Sequence, residues 1–322
     1  MLRGRENKVA FIVNTFPTVS ESFIIDQIIG LIEKGVKVSV FAFKRGSKNG
    51  VSEKFFRYNL ERITRYLEMP QNKLCRVLLA GLKLLKILIC RPILVLRVLN
   101  IRKYGQLSRS LKLIFWVEPF LNQDFDLIHC HFGTVANKFL VIKEILRNHQ
   151  PMITTFYGYD VSQKIRQKGP RFYDKLKRIC SLFFVMSENM KERIVALGFD
   201  SAKVIVQPVG INPDEYEFKE RTLAPEETVN IISVGRFVEK KGFDDLLKAL
   251  AIVKQRTKRA FRCTIVGGGP LENELQKMTD ELKVRDLVDY RGYMRIQDII
   301  KLFGKMHFFV QPSKTARDGD ME

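Results

Sequence analysis

The feature that most constrains the fold of this chain is a regular alternation of short apolar runs with segments of helical period. Before residue 207, apolar runs of strand length occupy residues 9–13, 36–43, 126–130, 152–156 and 182–186. Helical segments are predicted at residues 22–34, 134–148, 171–179 and 188–197. Because helices connect neighbouring parallel strands, this alternation predicts an α/β fold with a doubly wound sheet.

The same alternation restarts after a break in composition. Residues 207–216 read QPVGINPDEY, and a charged stretch follows as far as residue 227. Linkers have such compositions. We therefore predict a first domain over residues 1–207, a linker over 208–227 and a second domain over 228–322. A ligand site is expected where two such domains face each other. In the second domain, strands are predicted at 229–234, 261–266, 287–290 and 308–311, and helices at 243–254, 271–283 and 296–303.

The second domain is expected to be incomplete. A buried parallel strand needs a helix to cover its face. The strand predicted at residues 308–311 is instead followed by PSKTARDGDME, where the given sequence stops. We therefore expect a chain truncated at its carboxyl end.

The charge of the chain predicts an anionic partner. There are 55 Lys and Arg against 35 Asp and Glu, a formal net charge of +20, which attracts phosphates, nucleic acid or anionic lipid. Nucleic acid is not expected, because helix-turn-helix, zinc-finger and RNA-binding patterns are missing. Five scattered cysteines fit a reducing cytosol and predict neither disulfides nor a zinc site. The first apolar run breaks at Asn14, too early for a signal peptide.

A basic, apolar helical insertion at about residues 52–121 departs from the alternation. On its helix, four cations fall within an arc of roughly 140°, opposite a face of Leu, Ile and Val: Lys73, Arg76, Lys83 and Lys86. Spanning a bilayer takes about 20 apolar residues without interior charge. We therefore favour a helix on an anionic membrane surface, with this basic stripe at the headgroups. The alternative is an ordinary helix packed on the first sheet, with snorkelling lysines.

Six stretches, in their order and spacing, resemble family 4 glycosyltransferases of the GT-B fold. The similar branch assembles colanic acid and related bacterial exopolysaccharides. The stretches are FPTVSESFIIDQI, DLIHCHFG, TFYGYDVS, SVGRFVEKKGFDDLLKAL, IVGGGPLENEL and FFVQPS.

The resemblance implies two Rossmann-like domains and a retaining transfer of a hexose. The donor would be a nucleoside-diphosphate sugar, used without a cofactor or metal. The acceptor would be a membrane-associated saccharide, lipid-linked or polysaccharide, at the inner face of the cytoplasmic membrane.

For the donor, the resemblance assigns the diphosphate to Arg236 and Lys241 of VGRFVEKKG, with Gly235 beside them. Two fixed cations can stabilise the charge that develops on the leaving diphosphate. Arg offers a planar fork and Lys a compact charge. Loop cations of this kind are otherwise mostly solvated. Further donor contacts are expected from four residues, although a tight turn would also explain the two glycines: Gly267, Gly268, Tyr293 and Met294.

For the acceptor side, the resemblance points to the first domain. Ser20 and Glu21 of FPTVSES are expected to face the acceptor, although Ser20 would also serve as an N-cap. His129 and His131 are two apart on a strand and so share a face, and His131 is expected to hydrogen-bond toward the cleft. Tyr157 stands where many relatives have His, and a tyrosine cannot shuttle protons near neutral pH. Asp160 matches an acidic position of the family and is expected to bind a sugar hydroxyl.

The last residue of the given sequence, Glu322, aligns with the first of two family glutamates eight positions apart. It is expected to contact the donor sugar, and the second glutamate has no counterpart in the sequence. The alternative is therefore a catalytically inactive remnant that acts at most as a membrane-surface or partner-binding protein. Asp318-Gly-Asp320 is predicted to be a loop rather than a metal motif.

Overall fold

The computed structural model describes residues 7–218 and 220–320 of the chain. The chain divides into two compact units, Met1–Val209 (the first unit) and Gly210–Glu322 (the second unit). Each unit holds a parallel sheet with helices between its strands, so the predicted α/β class is confirmed.

The sheet of the first unit has seven parallel strands in the order β3-β2-β1-β4-β5-β6-β7. The strands are β1 (Lys8–Phe16), β2 (Lys37–Arg45), β3 (Thr64–Tyr66), β4 (Leu127–His131), β5 (Met152–Thr155), β6 (Leu182–Val185) and β7 (Val204–Val206). Five of them are the predicted strands. The two that the sequence did not predict, β3 and β7, are three-residue strands at the two edges of the sheet.

Strand β1 shows why an uninterrupted apolar run becomes a central parallel strand. Ala10 and Ile12 belong to one buried cluster, while Phe11 and Val13 belong to another. Successive side chains of a strand point to opposite faces. Both faces of this strand are therefore covered, which is the usual state of a parallel sheet.

In the described part of the first unit, twelve α-helices accompany this sheet. They are α1 (Ser22–Glu33), α2 (Glu53–Arg57), α3 (Lys73–Cys90), α4 (Ile93–Val98), α5 (Ile101–Tyr104), α6 (Gln106–Arg109), α7 (Lys112–Val117), α8 (Gly133–Leu146), α9 (Gly158–Val161), α10 (Gln163–Lys168), α11 (Asp174–Ile179) and α12 (Glu188–Ala196). Helices α3 to α7 form the insertion. They pack on the same buried cluster as Ala10 and Ile12 of β1.

In helix α3, most cations of the predicted basic stripe contact the protein itself and do not form a free basic surface. The Nζ of Lys83 is 2.6 Å from one carboxylate oxygen of Glu118, and Lys86 pairs with the other. The Arg76 guanidinium donates to the carbonyls of Pro70 and Gln71, at 2.9 and 3.1 Å. Three of the four predicted stripe cations are thus held by the protein itself, and only Lys73 lacks such a described contact. Because Glu118 lies 32 to 35 residues from these lysines, no local sequence pattern could predict the two ion pairs.

The second unit has a parallel sheet of four strands in the order β10-β9-β8-β11. Its elements are β8 (Val229–Val234), α13 (Phe243–Arg256), β9 (Phe261–Val266), α14 (Glu272–Glu281), β10 (Val288–Gly292), α15 (Ile296–Phe303) and β11 (Phe308–Phe309). All four strands and three helices follow the predicted alternation. The edge strand β11 is short, and Phe308 and Phe309 are both more than half exposed.

Candidate functional site

Three loops of the second unit meet at one edge of its sheet. They lie at the carboxyl ends of β8, β9 and β10, and we call residues 235–242, 267–269 and 292–294 the three-loop cluster. Gly235 donates its N–H to Val266 at 3.0 Å, Phe237 donates to Gly268 at 2.9 Å and Gly267 donates to Gly292 at 2.8 Å. Since the carboxyl ends of neighbouring parallel strands share an edge, these loops form the part of the sheet where ligands of α/β proteins usually bind.

The contact between the first two loops depends on Gly267. Its φ is +141°, and a Cβ placed on it would lie 1.9 Å from the carbonyl oxygen of Gly235. Only glycine occupies this backbone region routinely and leaves room for that oxygen. The glycines of IVGGGP therefore allow two backbones to approach each other, whatever ligand they meet.

Both predicted cations belong to the first of these loops. Arg236 is exposed, and Lys241 is half-buried at the end of a short 3-10 turn, Glu239–Lys241. A Cβ on Gly235 would lie 3.4–3.6 Å from Cγ, Cδ and Cε of Lys241, so the lysine side chain runs alongside Gly235. A guanidinium and an ammonium on one loop can hold an anion with two phosphate groups.

A later segment of the second unit, residues 312–320, packs against this loop and holds it in place. Gly242 has φ +67°, and a Cβ there would lie 1.8 Å from the carbonyl oxygen of Pro312. The N–H of Lys314 donates to the carbonyl of Lys240 at 2.9 Å, and the buried Lys240 side chain pairs with Asp320 at 3.2 Å. Asp320 of the Asp318-Gly-Asp320 loop thus serves as an ion-pair partner. Across residues 7–218 and 220–320, no group of three or more His, Cys, Asp or Glu could hold a metal ion.

An ion cluster that was not predicted from the sequence also holds residues 312–320 in place. Lys314 binds both Asp244 and Asp245, at 2.6 and 2.8 Å, in the first turn of α13. Two acidic residues at a helix start were a visible signal, because carboxylates favour the positive end of a helix. Their partner Lys314 lies about 70 residues away in sequence, so the ion pairs could not be predicted from the local pattern.

The third loop brings an aromatic ring to the cluster. Tyr293 is 64% exposed, and its hydroxyl donates to the carbonyl of Gly268 at 2.9 Å. A Cβ on Gly268 would lie 2.7 Å from Cε2 of this ring. Met294 points inward and packs on the small buried cluster of Ile232, Val266 and Ile299. Tyr293 therefore offers an anchored, solvent-facing ring beside the glycine loop, while Met294 holds the loop in place.

In the first unit, His131 and Tyr157 lie at the carboxyl ends of β4 and β5 and contact each other. His131 Nδ1 and the Tyr157 hydroxyl share a hydrogen bond of 2.9 Å. The His131 ring also stacks on Phe11, and its neighbour His129 bonds Thr155 at 2.8 Å. Burial lowers the pKa of His129 to about 3, and burial together with His129 lowers the pKa of His131 well below its usual range. Both imidazoles are therefore neutral at physiological pH, and a ligand-facing role for His131 stays a prediction.

Asp160 is fully buried, and protein donors surround its carboxylate. It accepts the N–H groups of Gly133, Thr134 and Tyr157 at 3.0, 3.2 and 3.3 Å, and the Tyr173 hydroxyl at 3.3 Å. Burial raises the pKa of Asp160 to about 6, although all four hydrogen bonds favour the ionised form. The carboxylate thus joins the start of α8 to the turn after β5, a structural role that sequence did not suggest. Its expected contact with a sugar hydroxyl stays a prediction.

We expect Asp160→Asn to remove a pH dependence of stability. The folded state holds the Asp160 proton up to about pH 6, and the unfolded state releases it near pH 4. The contribution of this group to the free energy of unfolding is therefore complete below pH 4 and declines as pH rises to 6, by roughly 2 kcal/mol. Urea unfolding at pH 4.5, 5.5 and 7 measures it. Asp26→Asn, at a 44% exposed side chain, is the control. Parallel stability profiles of wild type and Asp160→Asn would contradict the assignment.

The remaining predicted residues of the first unit lie before α1. Ser20 and Glu21 belong to a short 3-10 turn, Val19–Glu21, and α1 starts at Ser22. Within the described residues, neither element has a side-chain N-cap bond, so the capping alternative for Ser20 is not observed. Glu21 contributes, after burial, to the raised pKa of the Tyr157 hydroxyl, which places it near that ring. Glu322 lies outside the described residues.

Comparison with known protein families gives two matches that together cover most of the chain. Residues 20–215 match the family described as Glycosyltransferase Family 4, and residues 214–319 match Glycosyl transferases group 1. The amylovoran biosynthesis glycosyltransferase AmsK of Erwinia amylovora is 32% identical over 98% of this chain and 77% of its own length. The putative colanic acid biosynthesis glycosyltransferase WcaL of Salmonella typhimurium is 28% identical with the same coverage.

Solved structures with a similar fold include a protein bound to UDP and glucose and a galactosyltransferase of the lipopolysaccharide outer core. Anabaena Alr3699/HepE in complex with UDP and glucose has a TM-score of 0.61 at 14% identity, covering 98% of this chain and 76% of that one. The lipopolysaccharide outer core galactosyltransferase WaaB has a TM-score of 0.57 at 15% identity, covering 95% and 74%. At these identities the likeness shows the fold.

Proposed function

The chain belongs to the family 4 glycosyltransferases with the GT-B fold, as the sequence resemblance predicted, and we propose a specific reaction for it. It transfers a hexose, with retention of configuration, from a nucleoside-diphosphate sugar to a membrane-associated saccharide. It needs no cofactor and acts at the inner face of the cytoplasmic membrane. The products are intermediates of an exopolysaccharide, capsule or lipopolysaccharide. Relatives named for amylovoran and colanic acid synthesis support this acceptor class.

The observation that carries the proposal is the three-loop cluster. It combines Arg236 and Lys241 with the backbone approach at Gly267 and the exposed ring of Tyr293. We propose that the cations bind the diphosphate, that Gly235, Gly267 and Gly268 let backbone approach it, and that the nucleotide base lies against residues 293 and 294. The HepE complex contains UDP and glucose, so a UDP-hexose is the first donor to test.

In the proposed step, an acceptor hydroxyl oxygen forms a bond to C1 of the hexose while the bond from C1 to the diphosphate breaks. A phosphate oxygen of the departing diphosphate takes the acceptor's proton. Arg236 and Lys241 stabilise the negative charge that develops on the diphosphate. Glu322 is proposed to contact hydroxyls of the donor sugar.

The chemistry of the first unit supports giving the proton to the phosphate. Burial, followed by Glu21 and Asp160, raises the pKa of Tyr157 far above neutral. His131 is buried against this tyrosine, and Asp160 is surrounded by protein donors. None of these three groups is therefore a ready base for an acceptor hydroxyl. Together with Ser20 and Glu21, His131 and Tyr157 are instead proposed to orient the acceptor.

The reaction is tested by incubating the 322-residue chain with UDP- and GDP-hexoses and with lipid-linked saccharides from a capsulated bacterium. Release of nucleoside diphosphate gives the rate, and the proton NMR coupling of the anomeric hydrogen gives the configuration of the product. We expect acceptor-dependent release from at least one donor and a retained configuration. Lys277→Ala, at a side chain 80% exposed on α14, should match wild type. An inverted product would overturn the retaining mechanism. No release from any donor would favour the inactive alternative.

A further inference from the structure

The insertion of the first unit exposes an unusual number of aliphatic side chains. We call them the aliphatic ridge: Leu74, Val77, Leu78, Leu79, Leu82, Leu85, Leu88 and Ile89 on α3, followed by Ile93, Leu96, Leu99 and Ile101. Each is between 40% and 77% exposed. Together they present on the order of 1,000 Å² of apolar surface, above the roughly 300–600 Å² of the largest patch on a typical soluble monomer.

The outward direction of the ridge is fixed by what lies behind it. Ala80 and Ile87 of α3 are buried in the core of the first unit. Lys83 and Lys86 are bound to Glu118, which is itself nearly buried. A helix that only covered the sheet would bury its leucines and expose its lysines. Here two ion pairs and a small apolar contact hold the helix with its leucines outward.

The charge around the ridge is complementary to an anionic lipid surface. Residues 69–117 contain ten Lys and Arg and no Asp or Glu, which is half of the formal excess of the chain. Four of these cations, Lys73, Arg91, Arg102 and Arg109, are exposed and have no carboxylate partner among the described residues. Aliphatic side chains beside cations without acids match the boundary between acyl chains and anionic headgroups.

The dimensions fit a helix that lies on a bilayer. With 18 residues, α3 is about 27 Å long at 1.5 Å per residue. Among the described residues, no helix is both long and apolar enough to cross a membrane. A helix of this length lying flat would bring its whole row of leucines to the same depth, which is how interfacial helices bind.

We propose that the aliphatic ridge inserts into the surface of an anionic bilayer, while the exposed cations contact lipid phosphates. This way of binding a membrane differs from electrostatic docking by the predicted basic stripe. In the proposal, Lys83 and Lys86 orient the helix and do not contact lipid. This inference goes beyond the proposed sugar transfer and does not depend on it. If both hold, the ridge brings the first unit to the membrane that carries the acceptor.

Flotation with vesicles tests the ridge. The whole chain is mixed with vesicles of phosphatidylcholine alone, or with 30% phosphatidylglycerol, in low and high salt. We expect binding to the anionic vesicles that persists in part at high salt, because apolar insertion is not screened. The variant Leu82→Ser with Leu85→Ser should bind at least about 10-fold more weakly, since each leucine loses much of its transfer free energy. Ile252→Ser, at a 50% exposed position of α13, is the matched control and should bind like wild type.

Other outcomes would overturn the proposal. If wild type does not float, or if the double-serine variant floats as well as wild type, the ridge is not a lipid surface. If Lys83→Gln with Lys86→Gln loses binding while its circular dichroism and thermal melting match wild type, the lysines contact lipid and the assignment is reversed. Analytical ultracentrifugation supplies the remaining outcome. A wild-type dimer that the double-serine substitution converts to monomer, with no change in flotation, would assign the ridge to a second copy of the chain.

Discussion

Lys241→Ala is expected to lower kcat/KM for sugar transfer at least about 100-fold. The lysine supplies a fixed positive charge where the leaving diphosphate becomes more negative, and losing one such group from a preorganised site costs a few kcal/mol of transition-state stabilisation. Its side chain runs along Gly235 at the start of the same loop. Initial rates of nucleoside diphosphate release, at several donor concentrations, measure the effect.

The control for this substitution is Lys277→Ala, which removes an exposed cation from the same unit. Thermal unfolding of both variants shows whether the fold is intact. A fall in kcat with little change in KM would place the interaction in the transition state. An intact Lys241→Ala protein with near-normal turnover would remove Lys241 from the donor site.

Gly267→Ala is expected to cost about 4 kcal/mol of unfolding free energy and more than 100-fold in transfer rate. The backbone at Gly267 has a φ that other residues rarely adopt, which costs about 1–3 kcal/mol. The new Cβ would also lie 1.9 Å from the Gly235 oxygen and must push the two loops apart, at a further 1–3 kcal/mol. Arg236 and Lys241 would then move with their loop. Urea unfolding and the transfer assay measure the two effects.

Gly30→Ala separates this effect from a general sensitivity to lost glycine. Gly30 lies inside α1, and a Cβ there would have no atom within 4 Å. Since alanine favours a helix over glycine, we expect this variant to be more stable than wild type by about 0.5–1 kcal/mol. A Gly267→Ala protein as stable and active as wild type would show that the loops are not held together by this close approach.

How far the sequence predicts the fold depends on the range of the interactions involved. Apolar runs and helical periods predicted the central strands β1, β2, β4, β5 and β6, because burial on both faces leaves a continuous pattern. The edge strands β3 and β7 have only three residues and leave no such pattern. The face of α3 that packs against the protein could not be predicted either. Its amphipathic period is clear, but the face that turns inward is decided by Glu118, far along the chain.

In the candidate site, too, short motifs could be predicted from the sequence, and contacts between residues far apart in the chain could not. The glycines of the loops after β8 and β9, and the cations beside them, were visible as motifs within a few residues. What holds these loops was not visible. Lys240 meets Asp320 and Lys314 meets Asp244 only because the chain folds back over 70 to 80 residues. Likewise only the family resemblance assigned Asp160 to a ligand contact, and only the fold shows the four protein donors around it.

The most direct measurement is a calorimetric titration of the 322-residue chain with uridine, UMP and UDP. Binding through Arg236 and Lys241 predicts that affinity rises steeply from uridine to UDP, and that the double variant Arg236→Ala with Lys241→Ala binds UDP no better than UMP. A chain that binds uridine and UDP equally, or a double variant that keeps the wild-type affinity for UDP, would contradict a diphosphate site at the three-loop cluster.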